Sequence, residues 1–318
     1  MASNRKKDKT IKFFAVVSIV FCLIALVIGY SISSQKIGYQ TEKTSSVFIS
    51  SAEDISSLGE SVYNDKLYLT QDITISDPNF KIGTDEFPFK GVFDGQGHTI
   101  HFTFTNASSV TSLFDYLAPE AIVRNVNFVF DSFIVEGTSF GGVAKINDGT
   151  IENCKLTYRS LEISDSGMFS PFVTINRGRI SNVVVSGELK GNLPEEKESG
   201  VFFGNVCVYN SGTLSSAIVT ASFSNLKCTD ELNILKGLSK NLGISSVRYR
   251  DIENGSTDRV VAMLAPEQFT SDKTSGIEFT TADAVFYNEK IFDMLDFNNK
   301  YWKIENQDLN LIITGEVQ

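Results

Sequence analysis

The chain has 318 residues, 42% of them hydrophobic, with 38 acidic against 28 basic side chains and a formal net charge of −10. That apolar content excludes a charged, disordered chain. The acidic excess argues against nucleic acid and anionic lipid surfaces as partners of its main body.

Residues 1–12 form a basic tail, in which Arg5, Lys6, Lys7, Lys9 and Lys12 face only Asp8. Residues 13–34 carry no charge, and the run FFAVVSIVFCLIALVIGY at about 1.5 Å per residue approaches the thickness of a hydrocarbon layer. A transmembrane anchor is expected there, with the tail cytoplasmic and the remainder exported. A cleaved signal peptide is the alternative, because Ser31-Ile32-Ser33 is a tolerable small-x-small site. No lipobox surrounds Cys22, which reads as an apolar residue of the span. Without the tail, 23 basic residues face 37 acidic ones, so the exported part carries a net −14.

Residues 35–50 read as a linker. Ser51-Ala52-Glu53-Asp54-Ile55-Ser56-Ser57-Leu58 then reads as a short helix, with Ser51 as cap and Asp54 at capping-box spacing. Ile55, Leu58 and Val62 share one face of it, which suits an amino-terminal cap over a core. Residues 62–104 supply the opening strands, VYNDKLYLTQDITI and FPFKGVFDGQGHTIHFTF, with a Gly-rich turn inside the second.

A repeated block follows: AIVRNVNF (121–128), GTIENCKL (149–156), GRISNVVV (178–185) and GTLSSAIV (212–219). Val123, Ile151, Ile180 and Leu214 align at intervals of 28, 29 and 34 residues, and Asn125, Asn153, Asn182 and Ser216 stand two positions on. The segments are rich in β-branched residues and punctuated by Gly and Asn, which is strand chemistry. GGVAKIN, SPFVTIN and FFGNVCVYN precede the later copies, each followed by x-Gly, and Asn-x-Gly suits a tight turn at positive φ. A period near 30 leaves no room for a crossover helix, so parallel strands must coil directly into a solenoid. Stacked coils then place Val123, Ile151, Ile180 and Leu214 in one interior ladder. The repeats span 51–230.

Residues 231–318 read as the last coils and a carboxy-terminal cap. Leu232, Ile234, Leu235 and Leu238 have roughly helical spacing, and strands are expected around ISSVRYRD and RVVAML. Thr280-Thr281-Ala282-Asp283 reads as a helix start running to about Leu295, with Phe297, Trp302 and Ile304 pinned over the final coil.

The run Phe89-Lys90-Gly91-Val92-Phe93-Asp94-Gly95-Gln96-Gly97-His98-Thr99-Ile100, the Gly-x-Ile-x-Asn repeats and the ending Met294-Leu295-Asp296-Phe297 … Tyr301-Trp302-Lys303-Ile304 together resemble bacterial surface β-helix proteins with GLUG-type repeats. The resemblance covers roughly 50–315. Ser170-Pro171, Phe202-Phe203 and Ser216 depart from its pattern. It implies an all-β chain, a right-handed parallel β-helix with short helical caps; the uncharged 13–34 segment, outside the resemblance, places one transmembrane helix before it.

No catalytic, cofactor or metal set stands out. The chain has two histidines, His98 and His101, and no H-E-x-x-H, so the metallopeptidase activity of some longer proteins with such segments is not supported. On a strand the two would point to opposite faces. Asp94 and His98 form an imaginable acid/base couple, but Asp94-Gly95 reads as a scaffold turn. The N-x-D, D-D, G-H-G and R-x-K set of pectin hydrolases is absent, and Asp131, Glu136 and Asp165 read as solvated loop charge. Calcium nonapeptides are missing, although a single loop site stays open. The sequons at Asn106 and Asn254 matter only in a glycosylating host. Outside the span, Cys154, Cys207 and Cys228 are an odd set without C-x-x-C spacing. Cys154 occupies the slot of Val126, Val183 and Ala217, a core position, with a Cys154–Cys207 bridge as the alternative.

Tyr158, Phe169, Phe172, Phe202, Phe203 and Tyr209 divide between the interior and an outer row able to stack on glycan rings. The connections at 131–140, 159–168 and 190–200 differ between copies and are the expected binding loops. The sequence therefore suggests a non-enzymatic, membrane-anchored surface protein, adhesin-like or structural, contacting a glycan or an envelope or host surface protein. A polysaccharide lyase or hydrolase on the same scaffold is the alternative.

Overall fold

The parallel strands of one long sheet lie side by side in chain order: Ser46–Ile49, Lys66–Leu69, Val92–Asp94, Ile122–Arg124, Thr150–Ile163, Arg179–Gly191, Thr213–Ser224, Ser256–Leu264 and Ile277–Thr281. A second parallel sheet stacks Phe114–Leu117, Ala144–Asn147, Val173–Asn176 and Cys207–Asn210, and a third stacks Ser139–Gly141, Gly167–Ser170 and Val201–Phe203. Neighbours that are one repeat apart in sequence and always parallel define a β-solenoid, as the repeats predict. This computed structural model describes residues 45–59, 63–107, 112–135, 139–164, 167–191, 201–224, 256–264, 277–281, 292, 295–306 and 308–314. The expected tail and span, Cys22, Val62, Glu136, Asp165, Cys228, Asn254, the helical spacing at 232–238, the strand at ISSVRYRD and most of 190–200 lie outside them. Among the described residues no helix is long and apolar enough to cross a membrane.

The predicted interior ladder forms. Phe93, Val123, Ile151, Ile180 and Leu214 pair in register from coil to coil, and all are fully buried. A second ladder runs through Ile100, Phe128, Leu156, Val185 and Val219. Stacked identical positions bury one another, which a single coil cannot achieve. Where the coil widens, Phe102 stacks on Phe130 at 4.2 Å between ring centroids, and Phe133 and Phe140 close around them. Tyr158, Phe169 and Phe172 are interior as well. Tyr158 finds its polar partner inside, donating to Asn205 Oδ1 at 2.5 Å.

Left-handed backbone occurs at the repeat's own polar position. Asn125, Asn153, Asn182 and Ser216 all have φ between 52° and 55°. One such residue per coil bends the chain between two legs of the long sheet, and Asn tolerates that conformation best after Gly. The Gly residues of Asn-x-Gly do not adopt it: Gly149, Gly178 and Gly212 are absent from the positive-φ positions. Their reason is close approach, since a Cβ on Gly178 would strike Gly149 O and one on Gly212 would strike Gly178 O. The Asn of the same motif turns inward, and Asn147 donates to Asn176 Oδ1 at 2.7 Å while Asn176 donates to Asn210 Oδ1 at 2.8 Å.

At the amino-terminal end the expected helix is present at Ala52–Ser56, with a complete Ser51/Asp54 capping box and Ile55 buried in the core. The solenoid starts before that helix. Ser46–Ile49, read from sequence as linker, already pairs with Lys66–Leu69. The carboxy-terminal end differs more. Thr280 and Thr281 finish a strand rather than starting a helix, and helical backbone is described only at Phe292 and Leu295. Trp302–Glu305 and Asp308–Leu311 form an antiparallel hairpin. Its side chains Trp302, Leu309 and Leu311, with Leu295 and Phe297, cover Val184 and Ile218 on the outer side of the long sheet. The expected cap is thus a lateral strap.

Cys154 and Cys207 are completely buried and form no disulfide, so the bridge considered from sequence is not made. Cys154 pairs with Val183 and Cys207 with Val173, in apolar rows. Burial pushes both thiols well above their ordinary range. Neither should react with iodoacetamide in the folded protein at pH 8, and both should react after denaturation. Native labelling of either peptide, read by mass spectrometry, would contradict this packing.

Candidate functional site

The residue before each inward Asn ends up outside. Tyr116, Ile146, Ile175 and Tyr209 pair in one row across the second sheet, and each is half-buried rather than part of the interior cluster. Adjacent rungs are about 4.8 Å apart, so the row is a flat strip with a tyrosine at each end. The column was visible in the sequence as the position ahead of Asn147, Asn176 and Asn210; Leu117 in place of Asn hid Tyr116, and only Tyr209 was singled out.

A polar group borders the strip. Asp148 and Arg177 occupy equivalent positions on successive coils, just after the inward Asn. Arg177 Nε donates to Asp148 Oδ1 at 2.6 Å and its terminal nitrogen to Oδ2 at 2.9 Å, while Tyr116 donates its hydroxyl to Oδ2 at 2.6 Å. The guanidinium carbon lies 5.9 Å from the Tyr116 ring centroid, within cation–π range. The hydrogen bond to Asp148 raises the pKa of Tyr116, so the phenol stays a neutral donor. Arg177's own hydrogen bonds to Asp148 raise its pKa as well. Further along, Lys145 faces Asp85 at 3.8 Å and Lys81 faces Asp115 at 3.0 Å. The arrangement offers fixed donors, acceptors and ring faces. It holds Asp148 with both oxygens occupied, which suits recognition better than proton transfer.

The sequence candidates for chemistry fall apart in space. Asp94 accepts from Gln96 N, Arg124 Nε and Asn125 Nδ2, a clip between two coils. His98 faces Asp72 at 3.3 Å instead. His101 meets Asp131 at 3.4 Å, and both histidines turn outward because His98 precedes the strand Thr99–Phe102. Asp131 lies on the strand Asn127–Val135 rather than in a loop. Most of 131–140 and 159–168 is strand: Leu161 pairs with Phe133 and Ile163 with Val135, all buried. Their described parts are a further leg of the coil rather than the loops expected. Among the described residues no three His, Cys, Asp or Glu side chains converge as metal ligands would.

No protein-family model matches the chain, and no curated protein matches it. Among solved structures it is similar to the crystal structure of a "putative immunoglobulin A1 protease" from Bacteroides ovatus, with 18% identity over 85% of this chain and 92% of that one and a TM-score of 0.56. At that identity the likeness is one of fold alone.

Proposed function

We propose that this chain is a non-enzymatic surface-binding module, tethered by residues 13–34, whose β-solenoid presents the Tyr116/Ile146/Ile175/Tyr209 strip to a glycan chain. The observation that carries the reading is that outer row with the Asp148–Arg177 pair beside it. Ring faces stack on the apolar faces of sugars, and a guanidinium–carboxylate pair exchanges hydrogen bonds with hydroxyls. The membrane tether rests on the uncharged 13–34 segment and its basic flank. The strip faces away from the interior, which the ladders already fill. The Bacteroides ovatus protein's designation suggests proteolysis as a competing reading, but this chain has two histidines and no His-Glu-x-x-His, so its sequence gives that reading no zinc-peptidase motif.

Glycan-array binding tests the proposal. Tyr116→Ala and Tyr209→Ala should each weaken binding about tenfold, the loss of one stacking contact worth about 1 kcal/mol or slightly more. Unchanged binding by the double variant would remove the strip from consideration, and sustained release of sugar products from a polysaccharide would replace the binding module with an enzyme.

A further inference from the structure

Lys155 is an unusual residue for its place. It lies on the outer row of the strand Thr150–Ile163, paired with Asn127 on one side and Val184 on the other, where the hairpin covers it. Its side chain is only 10% exposed. The ammonium meets two groups of the hairpin, Asp308 Oδ2 at 2.5 Å and Asn310 Oδ1 at 2.9 Å. Leu309, between those two residues, is fully buried, and Leu309 N donates to Asp308 Oδ1 at 2.8 Å. The Asn310 carboxamide is oriented: its Nδ2 donates to Glu305 O and Asp308 O, both at 3.3 Å, which directs Oδ1 toward the lysine. An amine, a carboxamide and a carboxylate are thereby gathered at one spot on two elements about 150 residues apart in the chain.

We infer that Lys155 and Asn310 form an intramolecular isopeptide bond, with Asp308 as the proton carrier. Lys155 first passes one proton to Asp308 Oδ2 across the short contact, leaving a neutral amine. The nitrogen lone pair attacks Asn310 Cγ, and the carbonyl π pair moves to Oδ1. The new bond's nitrogen gives up a second proton, which Nδ2 takes; the Oδ1 pair then re-forms the carbonyl, the Cγ–Nδ2 bond breaks with its pair going to nitrogen, and Nδ2 departs as ammonia. Asp308 then returns its own proton to solvent or to the ammonia. The net change is an alkylammonium and a primary amide becoming a secondary amide and an ammonium ion, with nothing oxidised or reduced. Asp308 suits the carrier role because it is 48% exposed and can exchange protons with water, whereas Lys155 is sheltered from competing solvent. The product ties the lateral strap to the solenoid, whatever the outer strip binds.

The purified full chain gives the test by intact mass and peptide mapping. The expected mass is lower than the sequence mass by one ammonia, and digestion should yield a branched peptide joining the Lys155 and Asn310 segments. Mapping is needed because a succinimide at Asn254-Gly255 has the same mass as the cross-link. Lys155→Arg and Asn310→Ala should each abolish the branched peptide, and Asp308→Ala, which keeps both bonding partners, should leave most of the protein uncross-linked. Linear Lys155 and Asn310 peptides from the folded wild-type protein would overturn the inference. A branched peptide formed with loss of water would overturn it too, by moving the bond to Asp308.

Discussion

Gly178→Ala is expected to cost about 3 kcal/mol or more and to lower the melting temperature of the solenoid by about 10 °C. The added Cβ falls on Gly149 O and lies 2.5 Å from Asp148 C and 2.6 Å from Asp148 O. A flexible side chain would swing away from such a contact, but these are backbone atoms of the coil beneath. They are held in place by the rungs themselves: Gly178 N donates to Asn147 O at 2.9 Å, and Arg179 N donates to Gly149 O at 2.8 Å. Relieving the clash therefore means spreading two coils and lengthening hydrogen bonds at this corner, a form of overpacking that a side-chain rotation cannot absorb. The column continues through Gly149 and Gly212, so each substitution there should act similarly. Arg179→Ala, one residue on and exposed, is the control and should stay within about 0.5 kcal/mol. Thermal unfolding of the three glycine variants beside that control decides the matter. A stable Gly178→Ala protein would mean that the corner is looser than the backbone spacing indicates.

The glycine column also shows where sequence reasoning reached the right residue by the wrong physics. Asn-x-Gly suggested a positive-φ turn, yet the left-handed residue of each coil is the Asn of Gly-x-Ile-x-Asn, with Ser216 standing in at the last copy. Both explanations predict a glycine, so the pattern alone could not separate them. The interior ladder was legible because Ile151 and Ile180 occupy the same slot one repeat apart, and stacking converts that period directly into contact. The legs at 131–135 and 159–163 were misread because their residues differ between copies. They nevertheless pair rung to rung, since a parallel ladder needs matching backbone and alternating burial rather than matching identities. The strip through Tyr116 shows the opposite case: a column half visible in the repeats whose first member lacked the flanking Asn.

Trp302→Ala should cost about 3–5 kcal/mol, but the loss should be local, freeing the carboxy-terminal strap while the solenoid stays folded. The indole is 1% exposed, packs edge-on against Phe297 at 5.0 Å and donates Nε1–H to Asn153 Oδ1 at 3.2 Å. Sequence could not place it, because its partner is 149 residues away and belongs to a bend rather than to an end. The strap is fixed along its length at other points: Ile312 O approaches Gly97, Thr314 N donates to Gln96 O at 2.9 Å, and Lys155 grips Asp308. None of these contacts contributes to the interior ladders. Removing the indole empties the centre of a small cluster that includes Val184, Ile218 and Leu309, and leaves Asn153 Oδ1 without its indole donor. Limited proteolysis should then cut within 292–314 at protease concentrations that leave the wild type intact, with the far-UV circular dichroism of the stacked strands retained. Because Trp302 is the chain's single tryptophan, wild-type fluorescence should report the same event in denaturant, shifting to the red before the strand signal is lost. Coincident transitions would make the strap and the solenoid one cooperative unit. The Lys155–Asn310 bond would change the outcome in a specific way, keeping cleaved strap fragments attached to the solenoid on a denaturing gel until Asn310 is replaced.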